Sequence, residues 1–98
     1  MCASAIGFYG ARDASEQCTE SSAAGEGYLP DVCQSWEAAT QKAQDSGIRT
    51  CQMRIGVVLS KKGGALKQMW VPFQFGAGGI LGNGKQIYSW IALDEIPR

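Results

Sequence analysis

Between residues 2 and 59 an apolar strand, an amphipathic helix and an alternating strand follow one another, and that order leaves few ways to fold. Residues 2–10, Cys-Ala-Ser-Ala-Ile-Gly-Phe-Tyr-Gly, read as the end of a buried strand running into a turn. Such a strand carries a polar group, here Ser4, toward the carboxyl edge of an open sheet. Residues 28–46 predict a helix. Pro30 and Asp31 suit its first turn, and Leu29, Val32, Trp36, Ala39 and Ala43 form one apolar stripe, with Gly47 as the stop. Residues 48–59 then alternate Cys51, Met53, Ile55, Val57 and Leu59 with Gln52, Arg54, Gly56 and Val58. A strand that returns after one helix pairs with the first in parallel, so the expected class is α/β with a partial Rossmann-like βαβ unit.

The flanking segments are less regular. Residues 11–27 are small and polar without periodicity and predict a long surface loop. Beyond the Ser60-Lys61-Lys62-Gly63-Gly64 link, a short helix starts at Ala65, puts Leu66, Met69, Trp70 and Phe73 on one face, and is limited by Pro72. A glycine-rich loop follows, and Asn83-Gly84 signals a type I′ hairpin whose second strand is residues 87–91. Asp94 reads as the cap of a further helix. From Met69 to Trp90 the chain gathers five glycines and five aromatic rings, a mixture that suits a pocket rim and equally a loop between core elements. Both chain ends fall inside elements, so the expectation is the interior of a larger domain.

Composition narrows the function classes. Ninety-eight residues, 45% hydrophobic and 18% charged, suit one packed domain. Nine basic residues balance nine acidic ones without a basic run, which argues against nucleic acid or an anionic membrane as partner. No apolar run reaches the ~20 residues of a membrane span, and the N-terminus lacks a signal-peptide pattern, so the expected location is cytoplasmic. Cys2, Cys18, Cys33 and Cys51 contain no Cys-x-x-Cys pair and there is no histidine. That argues against zinc and against Ser-His or Cys-His nucleophiles. The cysteines are expected as free thiols, with Cys33 and Cys51 in the core.

Two glycine clusters invite a phosphate reading and fail it. Gly76-Ala-Gly78-Gly79-Ile-Leu-Gly82 does not match G-x-G-x-x-G and precedes no helix, and Lys61-Lys62-Gly63-Gly64 is not a Walker A loop. For proton chemistry the candidate pair is Ser4 and Tyr28. A phenol with an ordinary pKa of about 10 needs a nearby cation or strong hydrogen bond to act near neutrality. The alternative is that Tyr28 staples the helix entry and Ser4 bonds backbone, and the residues alone leave both open.

In order along the chain, Ser4-Ala-Ile-Gly-Phe-Tyr-Gly10, Thr19-Glu20, Val32-Cys33, Trp36-Glu37-Ala38-Ala39, Arg54-Ile-Gly-Val-Val-Leu59, Gly63-Gly64-Ala65-Leu66, Pro72-Phe73, Gly78-Gly79, Gly82-Asn-Gly84 and Ser89-Trp90-Ile91 are together similar to one family. It is the epimerase-like branch of the extended short-chain dehydrogenase/reductase superfamily (NAD-dependent epimerase/dehydratase, some members labelled cell-division inhibitors). The resemblance implies that residues 1–98 are one partial NAD(P)-binding domain without the glycine-fingerprint units and the C-terminal segment. By position it implies Ser4 and Tyr28 as catalytic residues, Gly56, Val57 and Val58 beside the nicotinamide of NADP or NAD, and Phe73, Lys85 and Trp90 on the substrate side. It implies hydride transfer on a small hydroxyl or carbonyl substrate in an intact relative and no turnover by this chain alone. A non-catalytic binding module that keeps the fold is the alternative. The partners expected are the small-molecule substrate and a second copy or complementary fragment at an exposed strand edge. The family's Tyr-x-x-x-Lys lysine is Val32 here, its substrate-side Asn is Val57, and the Arg-Asp pair of sugar-nucleotide epimerases is Tyr88-Ser89.

Overall fold

The computed structural model describes residues 1–96, which fall into two compact units, Met1–Ile55 and a second that begins at Gly56. Each contains one parallel strand pair.

In the first unit, β1 (Cys2–Ala5) pairs in parallel with β2 (Gln52–Ile55), with Ser4 opposite Arg54. A 3-10 turn (Ile6–Tyr9), the 11–27 loop, α1 (Tyr28–Ala38) and α2 (Gln41–Asp45) lie between them in sequence. The βαβ expectation therefore holds. The single helix expected over 28–46 does not, because it breaks after Ala38. The Glu37 carbonyl accepts from the Thr40 amide (3.1 Å), the Thr40 hydroxyl (2.7 Å) and the Gln52 amide group (3.1 Å). With that carbonyl drawn to side chains, the helical ladder is interrupted. Gly47 does end α2, at φ 78°. Its N–H reaches the Gln44 carbonyl (2.9 Å) and Ile48 reaches Ala43 (3.0 Å), a Schellman closure.

The rotation of α1 departs from the apolar stripe. Leu29 and Trp36 are 63% and 60% exposed, whereas Pro30 and Cys33 are buried and Glu37 is half-buried. The same inversion runs along β2: Gln52 and Arg54 are half-buried, Met53 is exposed, and Cys51 just before the strand is exposed rather than in the core. Polar groups face the helix here because Glu37 and Arg54, both half-buried, satisfy each other's charge and hydrogen bonding.

In the second unit, β3 (Val57–Leu59) pairs in parallel with β4 (Trp90–Ala92), with Val57 opposite Trp90. The strand expected over 48–59 is thus two strands divided at Gly56, whose Cα sits so near Ser89 that a Cβ would lie 2.9 Å from the Ser89 carbonyl oxygen. Between β3 and β4 lies α3 (Gly64–Gln74). It contains Pro72 and ends at Gly76 (φ 70°), where Ala77 N–H reaches the Pro72 carbonyl (2.9 Å).

The expected hairpin is absent. Residues 75–89 hold no strand, and the chain turns at Leu81–Gly84 with the Gly84 N–H on the Leu81 carbonyl (3.1 Å). Gly82 takes the positive φ of 60°, and the Asn83 side chain accepts from the Lys85 N–H (2.9 Å) instead of opening a type I′ turn. Since β4 joins β3 in parallel, the segment between them is a crossover and has no antiparallel partner to offer. Asp94 likewise lies inside a closing 3-10 turn (Leu93–Glu95), whose cap position is Ala92. No helix among the described residues is long and apolar enough to cross a membrane.

Candidate functional site

The first unit holds a polar cluster built from four elements. Arg54 on β2 donates from Nε and Nη2 to the two Glu37 oxygens on α1, at 2.9 and 2.8 Å. Ser4 on β1 donates its hydroxyl to Glu37 Oε1 at 2.6 Å and is 5% exposed. The Tyr9 hydroxyl accepts from Arg54 Nη1 (3.0 Å) and donates to the Thr19 carbonyl (3.0 Å). The guanidinium carbon of Arg54 also stands 3.5 Å from the Phe8 ring centroid, a cation–π contact.

The charges tune one another. Hydrogen bonding from Arg54, aided by Ser4, holds the Glu37 carboxyl below its usual range in spite of partial burial. Glu37 in turn raises Arg54, which stays charged throughout. A cavity of about 370 Å³, lined by Ile6, Tyr9, Glu20, Gln52 and Arg54, opens beside the cluster. Its guanidinium is already neutralised by Glu37, so the cavity offers a polar wall without a free cation to clamp a phosphate.

The second unit holds a groove of about 670 Å³, walled by Met69, Pro72, Phe73, Ile80, Leu81 and Tyr88 among others. The Phe73 ring lies against Gly78, where a Cβ would come within 2.6 Å of the ring.

The expected site residues divide between these places. Ser4 is buried on β1 with its proton committed to Glu37. Tyr28 opens α1, is 80% exposed, and beside Gly10, Glu26 and Pro30 lines a separate shallow cleft. No hydrogen bond joins the two. Gly56, Val57 and Val58 form the start of the β3–β4 pairing. Phe73 walls the groove, while Lys85 follows the Gly82 turn and Trp90 opens β4, both exposed and outside the groove lining. Glu37, Arg54 and Tyr9 were not singled out from sequence. The available signals were the i, i+3, i+7 spacing of Pro30, Cys33 and Glu37, and the two-residue spacing of Gln52 and Arg54.

Comparison with known proteins shows what the chain is similar to. No protein-family model matches the chain. An epimerase family protein of Mycobacterium bovis is 45% identical over 96 residues, covering 98% of this chain. Over nearly its whole length the chain is similar to an epimerase family protein. A chloroplastic epimerase family protein of Arabidopsis thaliana is 45% identical over 94 residues. The crystal structure of a nucleoside-diphosphate sugar epimerase from Corynebacterium glutamicum superposes with a TM-score of 0.82 at 44% identity, over 94% of this chain and 20% of that one. A human epimerase family protein solved with NADPH gives a TM-score of 0.73 at 28% identity, over 92% of this chain and 30% of that one. The chain spans 32% of the M. bovis relative and 26% of the A. thaliana relative. The partial Rossmann-like α/β reading of the epimerase-like branch stands on these likenesses and on the parallel pairs.

Proposed function

We propose that this chain is part of an NAD(P)-dependent epimerase- or reductase-like protein that transfers hydride to or from a small hydroxyl or carbonyl substrate, and that the chain by itself does not turn over. The observation that carries the reading is the near end-to-end similarity to epimerase family proteins, one of them solved with NADPH. In this reading Ser4 polarises the substrate oxygen, Tyr28 is the acid/base, Gly56, Val57 and Val58 flank the nicotinamide, and Phe73, Lys85 and Trp90 face the substrate. A cytoplasmic location belongs to the same proposal.

A transplant tests it. The matching stretch of the M. bovis relative is replaced by these 98 residues, and NADPH binding and oxidation are followed over a panel of small carbonyl compounds. The reading expects saturable NADPH binding, with Ser4→Ala and Tyr28→Phe each lowering turnover by about 10²-fold or more at unchanged NADPH affinity. A folded transplant that ignores NADPH removes the reading.

A second reading, a binding module without chemistry, is favoured by two observations. Val32 stands where a lysine would activate Tyr28, and the Ser4 proton is held by Glu37. It expects Ser4→Ala and Tyr28→Phe to leave any turnover of the transplant unchanged.

A further inference from the structure

We propose that Asn83 is a site of spontaneous modification, where the local fold promotes conversion of the side-chain amide to aspartate and isoaspartate. Asn83 is the one asparagine of the chain, and glycine follows it. The reaction needs no enzyme. The Gly84 backbone nitrogen loses its proton to water and attacks Asn83 Cγ; a C–N bond forms, the Cγ–Nδ2 bond breaks, and ammonia leaves. Water then opens the cyclic imide at either carbonyl, and the side of opening decides between aspartate and isoaspartate.

Contacts within the turn favour the first step. Asn83 Oδ1 accepts from the Lys85 N–H at 2.9 Å, an Asx turn that folds the side chain back across the Gly84 peptide. Cγ and the attacking nitrogen are thereby held near each other instead of meeting by chance. The same N–H sits on the oxygen that gathers negative charge when Cγ is attacked, the placement of an oxyanion-stabilising donor. The turn also requires glycine at the attacking position. Gly84 has φ 69°, and a Cβ there would lie 2.7 Å from Ile80 Cγ2, so no side chain shields its nitrogen. The opposing contact is the Gly84 N–H on the Leu81 carbonyl at 3.1 Å, a single bond in a loop, where opening is fast. All of these contacts lie within residues 80–85, and none depends on what else packs against this stretch.

The two products act differently. From Gln68 to Leu93 Lys85 is the only charged residue, so aspartate adds the opposite charge two positions away. Aspartate also keeps the bond to the Lys85 N–H and strengthens it with that charge. Isoaspartate instead inserts a methylene into the main chain between residues 83 and 84. That undoes the Leu81–Gly84 turn, and Leu81 and Gly84 both wall the 670 Å³ groove. The modification therefore reshapes the groove with neither cofactor nor substrate present, and it stands apart from the hydride-transfer reading.

The test is a timed incubation. The 98-residue chain is held in mildly alkaline buffer, with and without concentrated urea, and peptide mapping by mass spectrometry follows loss of the Asn83 amide and separates aspartate from isoaspartate. The expected result is conversion several-fold faster in buffer than in urea. Lys85→Pro has no N–H at that position; it should lose the advantage in buffer and convert in urea as the wild type does. A wild-type rate in buffer equal to or below the rate in urea overturns the proposal. So does a Lys85→Pro chain that converts in buffer as fast as the wild type. Conversion is read without NADPH, so failure of the hydride-transfer reading leaves this result standing.

Discussion

Glu37 and Arg54, seventeen residues apart, meet in a fork-to-fork ion pair with N–O distances of 2.9 and 2.8 Å. With side chains 11% and 18% exposed, the pair joins α1 to β2, and Ser4 adds β1 to the same carboxylate. Removing one partner leaves a charge in a half-buried site, a cost well above that of a surface pair. Glu37→Gln should therefore destabilise the first unit by about 2–3 kcal/mol, below the 3–5 typical of full burial. Urea unfolding followed by far-ultraviolet circular dichroism checks this, and a loss under about 0.5 kcal/mol would demote the pair to surface decoration.

The pair also sets an acid limit. Folding lowers the Glu37 pKa through Arg54, so its stabilising share is fully present above the unfolded value, near 4.5, and is lost as pH falls through the lower folded value. The stability difference between the wild-type chain and Glu37→Gln should shrink steadily below about pH 4.5. A difference that stays constant from pH 7 to pH 3 contradicts the assignment.

Tyr9 ties Arg54 to the 11–27 loop, and Arg12 ties that loop to itself. Arg12 bonds the Tyr9 carbonyl (2.9 Å), the Ala23 carbonyl (2.8 Å) and Glu16 (2.8 Å). Tyr9→Phe removes both hydroxyl bonds at about 1 kcal/mol of local stability. Trypsin cleavage after Arg12 should then run several-fold faster, with the β1–β2 amides unaffected.

Gly25 packs its Cα under the Tyr9–Gly10 backbone, where a Cβ would stand 2.7 Å from the Gly10 Cα and closer still to the Tyr9 carbonyl. Gly25→Ala should break the Gly25 N–H to Phe8 carbonyl bond (2.9 Å) and expose the loop amides to exchange. If exchange over residues 19–26 matches the wild type, the close approach is not real.

At Gly56 the same argument applies to the other unit. A methyl group there collides with the Ser89 carbonyl, which accepts from the Val57 N–H at 2.9 Å and starts the β3–β4 ladder. Gly56→Ala should cost about 1–3 kcal/mol and accelerate exchange at residues 57–59 while sparing 52–55. Exchange at residues 57–59 that matches the wild type would mean that the close approach to Ser89 is not real.

Periodicity and punctuation set much of this fold. The order of strand and helix made β1 and β2 parallel, and Gly47 closed α2 where a positive φ is needed. These are short-range matters, decided by backbone sterics and by spacing along one element. Which way α1 and β2 face was not legible, because the sequence shows apolar Leu29, Val32 and Trp36 but not that Glu37 and Arg54 satisfy each other across seventeen residues. The break at Gly56 and the loss of the hairpin have the same origin. Only the β3–β4 register, with Val57 opposite Trp90 and Leu59 opposite Ala92, shows that β4 lies parallel to β3, and it joins residues 33 positions apart. Local chemistry can name an element, but its partner is chosen by charges and close approaches that exist only once the chain has folded back on itself.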